Sequence, residues 1–210
     1  MTSFITKIEE EEEQQLLQSR VMPIPLGNWK VVIEALFSTL KKTPFSNPWV
    51  FTGQRALAGA LLRGCSPERL VDSRMGARPY KILPSSEHAG HRALHAVGFS
   101  KASNEVVFCI LGQAAFANGS FLSACNLLQL QPSKVVFVVI EQEISEDAPV
   151  AKQSIYSMSK MAELFDLGYF EVSVNGIAED ALYEMMNETL LEIWKGALES
   201  KSSLFRIRLS

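Results

Sequence analysis

The sequence predicts an α/β protein: a doubly wound, mostly parallel sheet behind a helical N-terminal prefix. Two observations carry this. Val106–Leu111, and Lys134–Ile140 from Val135 onward, are unbroken apolar runs rich in β-branched residues, the pattern of strands buried on both faces of a parallel sheet. Between them, Phe116–Leu130 has the length of a helix, which completes a strand–helix–strand unit. Strands alternating with helices wind with right-handed crossovers into an open sheet.

The remaining elements follow in order. Residues 4–20 include Glu9 to Glu13, a run of like charge that favours a solvated helix or a frayed tail. Residues 27–42 place Trp29, Val32, Ile33, Leu36, Phe37 and Leu40 at amphipathic helical spacing. Pro44 and Pro48 close that unit and force extended chain. A second helix is expected over Gln54–Arg63. A third starts after Ser66-Pro67-Glu68, with serine as N-cap and proline as the first helical residue. Beyond the strand pair come a helix at Ile155–Leu167, a short strand at Phe170–Val174, a long helix at Glu179–Ser200 and a last strand at Leu204–Leu209. The stretch 76–86 separates the helical N-terminal part from the sheet. The chain therefore divides into a prefix, 1–44, and a sheet domain, 45–210.

Composition bounds the function. The 210 residues are 47% hydrophobic and 20% charged with a net charge of −3, an ordinary globular composition. A pI of 5.7 argues against a general nucleic-acid binder, and no apolar run reaches the roughly 18 residues of a membrane span. The opening residues MTSFITKIEEEEEQQ lack the apolar core of a secretory signal. Cys65, Cys109 and Cys125 lie in apolar surroundings and read as buried free thiols of a reducing compartment. The expected location is cytoplasmic.

In open α/β sheets, ligands bind beyond the carboxyl ends of the strands. Those ends are Gly112-Gln113-Ala114, Glu141-Gln142-Glu143 and Asn175-Gly176. After Gly112 the residues are small, and Asn118-Gly119 leads into a helix, so backbone amides can approach an anion. The dinucleotide and Walker fingerprints are absent. Gln113 and Gln142, 29 residues apart, stand at the tips of two strands expected to be adjacent and can converge on one crevice. All three histidines, His88, His91 and His95, fall within eight residues. On a helix they would share a face, as a metal site, as acid/base or diphosphate contacts, or simply as an exposed helix start. Met158, Met161 and Leu164–Phe165 form a stripe that belongs to the core or to a subunit interface.

The segment GQAAFANGSFLSACNLLQLQPSKVVFVVIEQEI resembles the α subunit of the thiamine-diphosphate-dependent dehydrogenase component of 2-oxo acid dehydrogenase complexes. That family carries G-D-G-x-x-N-x-G after a strand, then an Ala-x-Asn step in a helix, then an apolar strand ending in Asn-Asn. Gly112, Gly119, Ala124 and Asn126 match, and Gln142 falls at the second metal-binding position. Upstream, TGQRALAGALLRGCSPERLV is similar to the family's S-Y-R-D-H-G-H-A-L-A-R-G-x-x-P-E-E, matching at Arg55, Arg63, Gly64, Pro67 and Glu68. Downstream, GYFEVSVNGIAEDALYEMM and SSLFRIRLS resemble the family's closing motifs. The resemblance covers roughly residues 45–210 and implies the thiamine-diphosphate-binding fold for that domain.

The resemblance implies that Arg55, Gly112, Gln113, Asn118 and Gln142 contact the cofactor's diphosphate, with Mg²⁺ held at Gln113 and Gln142. It also implies a homo-oligomer, or a hetero-oligomer with a β-type dehydrogenase subunit, and no nucleic-acid or membrane partner. The pattern breaks at functional positions. The metal-binding aspartate is Gln113, and the family's Asp-His pair is Ala56-Leu57. Glu141 and Glu143 could restore charge only if the loop shifted, because neighbours on a strand point to opposite faces. Two functions compete. One is a homologue with weakened or lost Mg²⁺ and diphosphate binding, serving as a non-catalytic scaffold or regulator. The other is an active decarboxylating subunit working with a β-type partner. A third ligand class, a nucleotide or sugar phosphate on the turn 113–119, is also compatible with the residues.

Overall fold

The computed structural model describes residues 6–22, 25–42, 44–73, 77–83, 88, 90–142, 144–145, 148–149 and 157–209. Its centre is a six-stranded, all-parallel sheet with helices on both faces, a doubly wound α/β fold.

Helices α1 (Glu10–Gln18) and α2 (Trp29–Leu40) precede strand β1 (Trp49–Phe51). A 3-10 helix, Ala56–Arg63, and α3 (Pro67–Ser73) lead to β2 (Ile82–Leu83). Then come α4 (His91–Ser103), β3 (Val107–Gly112), α5 (Gln113–Phe116), α6 (Gly119–Leu130) and β4 (Val135–Glu141). Two short strands, β5 (Ile144–Ser145) and β6 (Ala148–Pro149), pair antiparallel. The chain closes with α7 (Met158–Leu164), β7 (Gly168–Ser173), α8 (Glu179–Leu198) and β8 (Ser203–Arg208). The sheet order is β2-β1-β3-β4-β8-β7.

The two apolar runs are the central strands β3 and β4, paired in register from Val107↔Val135 to Gly112↔Ile140. Alternate residues feed two cores, because successive side chains of a strand point to opposite faces. Val50, Phe108, Ile110, Val136, Val138 and Ile140 pack under α2, the 3-10 helix and α8. Phe51, Cys109, Leu111, Phe137 and Val139 pack under α4, α6 and α7. The prefix is bound into the first core: Val32, Ile33, Leu36 and Phe37 of α2 are fully buried in it. The acidic run is put to structural use. Glu12 accepts from the Glu9 amide in a capping box at 3.0 Å, and Glu13 accepts from the Leu26 amide at 2.9 Å.

Some boundaries differ from the sequence expectation, each for a local reason. The helix expected over Gln54–Arg63 is a 3-10 rather than an α-helix, Ala56–Arg63, and it stops at Gly64, whose φ of +87° suits glycine. The expected helix over Phe116–Leu130 is two helices, because Asn118 adopts an extended conformation and caps α6. Strands β1 and β2, of three and two residues, are too short to show a period. Part of the helix expected at Ile155–Leu167 lies outside the described residues, and α7 begins at Met158 with Ser157 as its cap. Met158 and Met161 are buried against the sheet, whereas Leu164 of the same stripe is exposed.

Cys65, Cys109 and Cys125 are free and buried. Burial pushes the Cys109 and Cys125 thiols up to about 12, so neither is a thiolate near neutral pH. Among the described residues, no helix is long and apolar enough to cross a membrane.

Candidate functional site

The strand order places the site. The chain leaving β1 passes over the α2 face to β2, and the chain leaving β3 passes over the α4 face to β4. Connections that diverge from adjacent strands open a crevice at their carboxyl ends, the place where ligands bind in such sheets. Here that crevice lies between Thr52–Arg55, after β1, and Gly112–Gln113, after β3.

Arg55 precedes the 3-10 helix and reaches across the crevice. Its Nη1 donates to Gln142 Oε1 at 3.3 Å, and its guanidinium carbon lies 5.3 Å from the centre of the Trp29 ring. Trp29 is the first residue of α2 and is 7% exposed. Its ring edge faces Gly112, where a Cβ would stand 3.9 Å away. Gln113 follows, 6% exposed, with its amide oxygen unpartnered. Desolvation pushes the Arg55 pKa below its ordinary value.

A second guanidinium lines the same edge. Arg92, in the first turn of α4, is 8% exposed, and a Cβ on Gly53 would overlap its Nη1. Glycine at position 53 therefore admits the arginine against the backbone beyond β1. Burial lowers the Arg92 pKa as well. Two basic groups thus sit at one crevice, and nothing in the apolar spacing singles out Arg92, Thr52 or Trp29. The last reads as one more core residue of an amphipathic helix. Only its place at a helix start, next to a sheet edge that is invisible in sequence, makes it a site residue.

The structure brings Arg55 and Gln142 into direct contact and sets Gln113 on the neighbouring strand tip. Asn118 has another task. Its Oδ1 accepts from the Ser120 amide at 2.9 Å, and a Cβ on Gly90 would lie 2.6 Å from it. It caps α6 and packs against the start of α4. Asn118→Ala should lower unfolding stability by about 1 kcal/mol, read as a lower urea midpoint. Weaker ligand binding at unchanged stability would instead make it a contact residue.

Glu141, beside Gln142, does not complete a metal site. Glu141 points to the opposite face, where Arg206 holds it, and Glu143 lies outside the described residues. Mg²⁺ demands hard oxygen ligands in near-octahedral array at about 2.1 Å and favours carboxylates. The described donors are two neutral amides, one already engaged by a guanidinium that repels a divalent cation. These residues do not fit Mg²⁺.

His88 precedes α4, and its ring lies 5.0 Å from that of His91, centre to centre. His91 and His95 are one turn apart on α4, and all three are exposed. Among the described residues, no group of three or more His, Cys, Asp or Glu side chains is placed to hold a metal. Leu57, at the position where the resemblance calls for a histidine, is buried in the core under α2. No protein-family profile matches the chain, and no curated protein matches its sequence.

Proposed function

We propose that the chain is a non-catalytic homologue of the α subunit of thiamine-diphosphate-dependent 2-oxo acid dehydrogenases, acting as a scaffold or regulatory partner. One observation carries the reading: Arg55 donates to Gln142, the side chain at a metal-ligand position. A guanidinium thereby brings positive charge to the strand tips where that enzyme class uses a metal. Charge of the right sign is retained, but a guanidinium holds phosphate oxygens through hydrogen bonds and does not replace the metal ligands that fix the cofactor's diphosphate. The buried Leu57 and Ala56 support the same reading, since neither can move a proton. The exposed apolar side chains Leu122, Leu130 and Leu164 are compatible with an oligomer, homomeric or with a β-type subunit.

Thermal unfolding with thiamine diphosphate, with and without Mg²⁺, tests this. A ligand held only by the folded state at 100 times its dissociation constant stabilises by roughly 2.7 kcal/mol, an easily read shift. The expected result is no Mg²⁺-dependent shift and no release of CO₂ from 2-oxo acids. A Mg²⁺-dependent rise in melting temperature would overturn the reading and restore the active-subunit alternative.

A further inference from the structure

Beyond the carboxyl ends of β7 and β8, a cavity of about 780 Å³ lies between the start of α1, the first turns of α2 and the start of α8. That volume is in the range of small-molecule sites. None of its lining residues belongs to the β1/β3 crevice. Val31, Ile177, Leu182 and Leu209 give it apolar walls.

The charges of the lining do not balance. Four carboxylates, Glu9, Glu10, Glu34 and Glu179, stand against two ammonium groups, Lys7 and Lys30. Both lysines are engaged. Lys7 Nζ lies 2.7 and 3.0 Å from the two oxygens of Glu179, and Lys30 Nζ lies 3.7 Å from Glu13, which is outside the lining. Glu34 is 4% exposed, yet it forms no ion pair among the described residues. Its Oε1 accepts from the Ile8 amide at 2.8 Å, whereas its Oε2 has no partner and is not sealed from water. Desolvation raises the Glu34 pKa above its ordinary value, so the two lysines do not offset the burial of its charge. The bond to Ile8 does not account for that charge, because a neutral amide would accept it without the cost of burying an anion.

The chemistry of the cavity defines what fits. Glu34 Oε2 can only accept, so its partner carries an N–H and positive charge. The apolar walls take a hydrocarbon chain, and the exposed Glu9 and Glu10 disfavour an anion. Among the described residues, no group of three or more His, Cys, Asp or Glu side chains is placed to hold a metal, which leaves an organic cation. We infer that this cavity binds a small primary amine, its ammonium group donating to Glu34 and its chain lying against Val31, Ile177, Leu182 and Leu209.

Calorimetric titration of the whole chain at about pH 8, where alkylamines remain protonated, tests this with pentylamine, cadaverine, pentanol and norleucine. Saturable binding of pentylamine is expected, at least about tenfold tighter than pentanol or norleucine. One charge-assisted hydrogen bond carries that ratio, and norleucine adds a carboxylate to an acidic site. Glu34→Gln keeps an acceptor for the Ile8 amide and should weaken pentylamine at least about tenfold with no loss in urea midpoint. Cadaverine tighter than pentylamine would place a second ammonium at Glu9 or Glu10, and the reverse would identify a monoamine. Both support the site. No saturable binding at about 10 mM, where a millimolar site would fill, would overturn the inference. So would equal or tighter binding of pentanol or norleucine, or undiminished binding by Glu34→Gln. The comparisons among ligands use the wild-type chain and stand even if the variant fails to fold. Failure here leaves the non-catalytic reading intact, since the two sites share no residue.

Discussion

Arg63→Met should cost about 3 kcal/mol of unfolding stability, although Arg63 lies at the end of the sheet away from the crevice. Arg63 is 8% exposed, and its Nη1 is shared among the carbonyl oxygens of Pro48, Tyr80 and Lys81 at 2.9, 3.0 and 3.3 Å. Those residues lead into β1 and β2, so one guanidinium ties together the amino ends of two very short strands. The Lys81 oxygen also accepts from the Val50 amide at 2.9 Å and stays paired in the variant. The Pro48 and Tyr80 oxygens lose a charged donor, and unpaired buried carbonyls carry the full desolvation penalty. Burial lowers the Arg63 pKa; the carbonyls, rather than a carboxylate, compensate its charge. The measurement is urea unfolding, with a reduced midpoint at unchanged slope. A midpoint equal to that of the wild type would show that β1 and β2 are held by their other contacts alone.

Gly59→Ala should cost roughly 2–3 kcal/mol, at the upper end for overpacking by a single methyl group. A Cβ on Gly59 would overlap the Phe37 ring edge, and Phe37 is fully buried in α2. The ring cannot move freely, because it is fully buried and the Arg63 guanidinium stands 5.1 Å from its centre. Gly59, Phe37 and Arg63 therefore form one packed unit, and the two substitutions should not be additive. Adding Phe37→Leu to Gly59→Ala should recover part of the loss by making room. Unchanged stability in Gly59→Ala would mean that the 3-10 helix shifts away from α2 at no cost.

How much of this was legible in sequence depended on length and period. β3 and β4 declared themselves because both faces are buried and every side chain before the terminal Glu141 is apolar. α2 and α8 did so because twelve and twenty residues are long enough to show a helical stripe. β1 and β2 could not, since Trp49–Phe51 and Ile82–Leu83 owe their strand geometry to neighbours distant in sequence. The site followed the same division. Gln113 and Gln142 could be placed because each ends a long apolar run. Arg55 was reached only through resemblance, and its contact with Gln142 spans 87 residues. Trp29, Thr52 and Arg92 escaped notice because the short strand that gathers them left no pattern. Asn118 was visible as a residue at a helix start, where capping is the commoner use of an asparagine.

Arg55, and not a divalent ion, is proposed to supply the positive charge at the tips of β3 and β4. Manganese tests it most directly, since Mn²⁺ replaces Mg²⁺ at oxygen sites and its free-ion electron paramagnetic resonance signal falls on binding. The chain is titrated with Mn²⁺ in the presence of thiamine diphosphate, against the same titration without protein. Identical free-ion signals are expected in the two titrations. A protein-dependent loss of signal that saturates at one Mn²⁺ per chain would contradict this role of Arg55.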